Sequence, residues 1–189
     1  WLTKRRGGEH VLEEICKLFP EADIYTHVVD YGSLSGALRQ HHIRTTFIGR
    51  LPLALKFYQT YLPLMPLALE QLDLTAYDLV ISSESGPAKG VITGTHTKHI
   101  CYCHSPMRYL WNMYPSYRRG THFVARLALP FLFHYLRLWD YSSAARVDHF
   151  VANSTAVAAR IKKYYRRESE IIAPPVDVDK FRVAEAVDN

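Results

Sequence analysis

The stretches TAYDLVISSESGPAKG (75–90) and KHICYCHSPMRYLW (98–111) decide the fold. Tyr77 to Ser82 is apolar without alternation, the pattern of a strand covered on both faces. It runs straight into serines and glycines. Lys98 to Cys103 repeats the design and runs into His104, Ser105 and Pro106. Outward from this pair, helical and extended patterns alternate. Gly8 to Phe19 carries apolar residues at helical spacing and stops at Pro20. Asp23 to Val29 reads as a strand, Leu34 to Gln40 as a short helix and Ile43 to Phe47 as a second strand. Leu51 to Leu72, with Pro52, Pro63 and Pro66, reads as broken helices at a sheet rim. Tyr109 to Arg146 is helical with interruptions expected near Pro115, Gly120 and Pro130. His149 to Ala152 is a strand, Ser154 caps a helix reaching Tyr165, and Glu170 to Ile172 is a last strand. Strands separated by helices imply an α/β, Rossmann-like parallel sheet with helices on both faces.

Bulk properties narrow the function classes. The 189 residues are 48% hydrophobic and 22% charged, enough for a packed core. The net charge of +5 favours anionic partners. Basic clusters stand at Lys4-Arg5-Arg6, Arg118-Arg119, Lys162-Lys163 and Arg166-Arg167. No aromatic-basic stacking platform accompanies them, so nucleic acid is not an expected partner. Three cysteines, Cys16, Cys101 and Cys103, form no disulfide framework, and reduced thiols in a cytoplasmic setting are the simplest reading. Phe123 to Trp139 is too short and too interrupted by Arg126, Pro130, His134 and Arg137 to span a bilayer. It reads either as a core helix or as a helix lying on an anionic membrane. The chain opens on Trp1 with no strand expected before Gly7-Gly8, and it ends soon after Ala173-Pro174-Pro175. It reads as a fragment at both ends, with 1–173 as one domain and 174–189 as a link toward another.

Three features fall where strands end, the place at which open α/β sheets gather ligands. Gly7-Gly8 heads the first helix, where free N–H groups and the helix dipole suit a phosphate; an ordinary tight turn accounts for it equally well. Ser82-Ser83-Glu84-Ser85-Gly86, with Lys89 behind it, offers hydroxyls and a cation, or simply a capped loop. His104 and Arg108 follow the strand ending in Cys103 and suit phosphate or hydroxyl recognition. Cys101 and Cys103 point to one face of that strand and His104 to the other, so a zinc site lacks ligands. No Walker A, G-x-S-x-G or H-E-x-x-H pattern is present.

Several segments together resemble a known family: WLTKRRGGEHVLEEICKLFPEADIYT (1–26), IRTTFIGRLP (43–52), YLPLMPLALEQLDLTAYDLVISS (61–83), AKGVITG (88–94), HICYCHSPMRYLW (99–111) and FVANSTAVAARIKKYYRRESEIIAPPVDVDKF (150–181). They resemble the amino-terminal half of retaining glycosyltransferases of family four, which include bacterial mannosyltransferases for O-antigen and other surface polysaccharides. The resemblance implies a GT-B fold of two Rossmann-like domains. The amino-terminal domain faces the acceptor; the other holds most of the nucleotide-sugar and a glutamate pair. It implies a GDP- or UDP-linked sugar as substrate, a lipid-linked or glycan acceptor, no metal and no further cofactor. By residue, it puts Gly7 and Gly8 near the donor diphosphate with Arg108, His104 beside the transferred sugar as the catalytic position, and Ser83 and Lys89 on the acceptor or sugar side of the cleft. Glu84-Ser85-Gly86-Pro87 departs from the family pattern, which bears on specificity. Without its donor domain the chain is expected to be inactive. A non-catalytic sugar- or nucleotide-binding module is the alternative from another class.

Overall fold

The computed structural model of the 189-residue chain describes residues 1–4, 7–113 and 123–176. Pro115, Gly120, the Arg118-Arg119 cluster and most of the 174–189 link lie outside the described residues. Helix α1 (Gly7–Leu18) leads to β1 (Ile24–Thr26), helix α2 (Gly36–Arg39) and β2 (Ile43–Thr45). Helices α3 (Ala54–Phe57) and α4 (Met65–Glu70) then flank a 3-10 segment, Tyr58–Leu64. Strands β3 (Leu79–Glu84) and β4 (Lys98–Cys103) follow. After them come α5 (Arg108–Trp111), α6 (Phe123–Ser143), β5 (His149–Ala152), α7 (Thr155–Tyr165) and β6 (Glu170–Ile171).

All strand pairing is parallel. β1 pairs with β2, and the main sheet runs β3-β4-β5-β6. This is the α/β, Rossmann-like arrangement expected. Strand parity divides the main sheet into two faces. Ser82, Glu84, Cys101, Cys103, Phe150 and Ala152 share one of them. There Cys101, Cys103, Phe150 and Ala152 pack against Val157, Ile161 and Tyr165 of α7. Burying a side chain of the size of Ile161 stabilises by roughly 1.5–3 kcal/mol, and Ile161 is completely buried. Ser83 and Tyr102 point to the opposite face, the side of α1.

Three expectations change. Pro130 does not interrupt α6, which runs unbroken through it. The proline removes one helical hydrogen bond, but Phe133, Leu136 and Trp139 anchor the following turns in a core cluster with Leu69, Leu74 and Leu110. The same helix buries one face in that core and exposes Leu127, Phe131, Tyr135, Leu138 and Tyr141 on the other. Second, the residues before the glycine pair are not unpaired. Leu2 forms a parallel bridge with Val29, its N–H donating to Val28 O (2.9 Å) and its carbonyl accepting from Asp30 N (2.8 Å). Third, the strand read over Asp23–Val29 is short because the chain after Thr26 turns to make that bridge. The prolines do break 51–72 into short helical pieces, as expected.

Candidate active site

The carboxyl end of β3 and the residue after β4 meet the first turn of α1. His104 continues the direction of β4, its N–H donating to Glu84 O across the sheet (2.7 Å). Its ring turns to the α1 face, where Nε2 lies 2.9 Å from Ser83 Oγ. Gly8 closes the third side. A Cβ built on Gly8 would stand 3.5 Å from the same Nε2. Tyr102, two residues back on the same strand face, meets the His104 ring edge-on at 5.2 Å between centroids. Three segments far apart in sequence therefore converge on one nitrogen.

Burial holds the His104 imidazole below the usual histidine range, with the Glu9 carboxylate pulling weakly the other way. The ring is therefore neutral near pH 7 and exchanges one hydrogen bond with Ser83. A neutral, oriented imidazole beside the N–H groups of a helix start suits the binding of hydroxyls and phosphate oxygens.

The other site residues divide. Gly7 opens α1 with nothing within contact of a built Cβ, so the backbone there is approachable. Arg108 is exposed at the start of α5. Lys89 is a correction: it does not reach this corner. It is fully buried on the opposite face of the sheet, where its ammonium pairs with Asp140 and lies 3.6 Å from Glu84 Oε1. Asp140 also accepts hydrogen bonds from Trp111 Nε1 (2.7 Å) and Tyr165 OH (3.0 Å). The physical reason is parity: Ser83 faces α1, so Glu84 faces the helices that bury Lys89. Burial pushes the Glu84 carboxyl up to about 7, Lys89 pulls it back and Asp140 adds to the rise. Burial alone would lower the Lys89 ammonium, but the two carboxylates hold it above the ordinary lysine value.

The family model described as Glycosyltransferase Family 4 matches residues 5–180. The chain belongs to glycosyltransferase family 4. No curated protein and no solved structure matches it. Membership brings a sugar donor and an acceptor in general terms. The converging segments lie at the carboxyl ends of the strands, where open α/β sheets gather ligands.

Two features of this family 4 site were not read from sequence. Tyr102 packs against the His104 ring, a role signalled only by its place two residues before His104. Glu9, beside the glycine pair, acts on the His104 charge. Among the described residues no group of His, Cys, Asp and Glu is placed to hold a metal ion. Cys101 and Cys103 are buried thiols in the α7 core, away from His104 on the other face. No described helix is long and apolar enough to cross a membrane.

Proposed function

We propose that this chain is the acceptor-side half of a retaining glycosyltransferase that moves a hexosyl group, mannose, from a GDP- or UDP-linked donor to a lipid-linked or polysaccharide acceptor. The observation that carries this reading is the convergence of Gly8, Ser83 and His104 on one polar corner at the strand ends. Transfer breaks the bond between the anomeric carbon and the diphosphate oxygen and forms one from that carbon to an acceptor hydroxyl oxygen, whose proton passes to the departing phosphate. The electron pair leaves with the phosphate while positive charge builds on the sugar. Negative charge developing beside Gly7 and Gly8 meets the N–H groups and positive end of α1, the preorganised stabilisation that lowers such barriers. His104, neutral and held by Ser83, orients a sugar hydroxyl, and Arg108 reaches the donor phosphate from the rim. On this reading 1–173 is the acceptor-side domain, and 174–189 leads into a donor-binding domain that carries the glutamate pair. The donor itself is the only small molecule required.

The setting we infer is the cytoplasmic face of the plasma membrane, where lipid-linked acceptors for polysaccharide or lipopolysaccharide synthesis reside. The exposed apolar stripe of α6, with Leu127 and Phe131 68% and 76% exposed, supports peripheral contact. The test is histidine NMR on the 189-residue chain titrated with GDP-mannose, UDP-glucose and the free nucleotides. The His104 signals should shift with a sugar donor and not with nucleotide monophosphate alone. Unperturbed His104 signals at saturating donor would overturn the site. Turnover by this chain alone, above background, would overturn the division between halves.

A further inference from the structure

The segment from Arg50 to Leu67 is a rim with an unusual surface. Leu53, Leu55, Phe57, Leu64 and Leu67 are all exposed, from 41% to 68%. Arg50 and Lys56 stand exposed among them, with the Lys56 ammonium 5.2 Å from the Phe57 ring centroid. Between Asp30 and Glu70 the sequence contains no acidic residue, but it contains Arg39, Arg44, Arg50 and Lys56. The rim is not a loose loop. Ala54, Tyr58, Met65 and Ala68 bury the other side against Val28 and Ile48.

Leu53 adds a second observation. It sits at φ 50°, ψ 30°, in the left-handed region, which a leucine enters at a cost of roughly 1–2 kcal/mol. Among the described residues only Arg166 shares a positive φ without being glycine. The Leu53 carbonyl accepts from both Lys56 N and Phe57 N (2.9 Å each), which locks the turn and leaves the side chain 68% exposed. Strain held at an exposed apolar side chain contributes nothing to the core, and strain of this kind collects at functional surfaces. Beside it opens a cavity of about 310 Å³ lined by Lys4, Asp30, Leu55, Lys56, Tyr58 and Gln59. Its one acid, Asp30, is engaged with the Gly32 N–H at 3.0 Å.

We infer that this rim docks on an anionic lipid surface, with Leu53, Leu55 and Phe57 entering the headgroup–acyl boundary and Arg50, Lys56 and Lys4 meeting lipid phosphates. Apolar side chains interleaved with cations, over a stretch free of carboxylates, have the complementarity that such a surface selects. The inference deepens the peripheral-membrane reading and rests on it. It adds the rim to the α6 stripe as a contact surface.

The test uses co-sedimentation of the full chain with vesicles of phosphatidylcholine alone or mixed with phosphatidylglycerol. The wild type pellets with the mixed vesicles and not with phosphatidylcholine alone. Leu53→Ser/Leu55→Ser lowers the partition tenfold or more, and each of Arg50→Gln and Lys56→Gln lowers it about fivefold, the loss of one surface cation. Leu53→Gly separates docking from folding. It relieves the left-handed strain, so the protein unfolds at higher urea while its vesicle binding falls. If Leu127→Ser/Phe131→Ser abolishes binding and the rim variants bind normally, this inference is overturned while the membrane reading survives. Absence of any vesicle binding overturns both. Concentration-dependent dimerisation that the rim variants abolish, without vesicle binding, overturns it in favour of a second copy of the chain.

Discussion

Ser83 and Glu84 are neighbours in sequence and serve opposite faces of one sheet. Ser83 Oγ lies 2.9 Å from His104 Nε2 in the cleft. The Glu84 carboxylate reaches the buried Lys89, accepting from its backbone N–H at 2.9 Å. The Glu84 carbonyl also accepts from His104 N. The polar corner and the buried ion cluster are thus tied to one short strand end, and they can be probed separately.

The cleft side is tested by donor binding. His104→Ala removes the ring around which the corner is built, and GDP-mannose affinity should fall on the order of tenfold, the worth of one or two hydrogen bonds. Ser83→Ala frees Nε2 without removing it, so the loss should be smaller, and thermal stability should hold within about 0.5 kcal/mol at this partly buried position. Calorimetric titration of each variant decides. Unchanged affinity in His104→Ala would remove the histidine from the site.

The buried side is tested by stability. Lys89→Met strands the Asp140 carboxylate in the core without its counter-charge and leaves Glu84 buried beside it. Breaking a buried pair in this way costs about 3–5 kcal/mol. Adding Glu84→Gln and Asp140→Asn should restore most of it, because the Trp111 and Tyr165 donors still find an acceptor at 140. Urea unfolding of the single and triple variants gives both numbers. A single variant as stable as the wild type would mean that the cluster is not held by charge.

Gly90 tests packing directly. A Cβ at this position would lie 2.1 Å and 2.2 Å from two atoms of the Trp139 ring. That ring is pinned by its Nε1 donating to Glu70 Oε1 at 2.8 Å. Gly90→Ala should therefore destabilise by about 1–3 kcal/mol, the usual cost of overpacking, seen as a lower melting temperature with altered tryptophan fluorescence.

The meeting of Gly8, Ser83 and His104 at the strand ends was legible in the sequence and the buried cluster was not, for physical reasons. Gly8 stands at a helix start, Ser83 in the last residues of a strand before its glycine-rich loop and His104 directly after a strand, and strand ends are where ligands collect. Lys89 carries the same local signal as Ser83. What withdraws it is Asp140, 51 residues further on, and no local pattern announces so distant a partner. Pro130 looked like a stop because its lost hydrogen bond is local, whereas the packing of Phe133, Leu136 and Trp139 that outweighs it is tertiary. Nothing local marks Leu53 as left-handed, because that conformation is ordinarily announced by glycine.

Acid should destabilise this fold. Burial pushes His27 and His99 down to about 4, against an ordinary value of 6.5, and lowers His104 in the same direction. A histidine with a lowered folded pKa contributes its full stability above the unfolded value and loses it as pH falls toward the folded one. Glu84 works in reverse: raised to about 7 from 4.5, it keeps a proton that the unfolded chain releases, so it favours the fold as pH falls. Two strongly shifted histidines against one glutamate leave a net uptake of about one proton on unfolding. Between pH 6.5 and 4.5 that removes about 2 kcal/mol. Glu84→Gln takes away the opposing group and should steepen the decline over the same window. Urea midpoints measured across the range check both statements. A midpoint that stays level or rises on acidification would show that His27 and His99 take up protons within the folded protein.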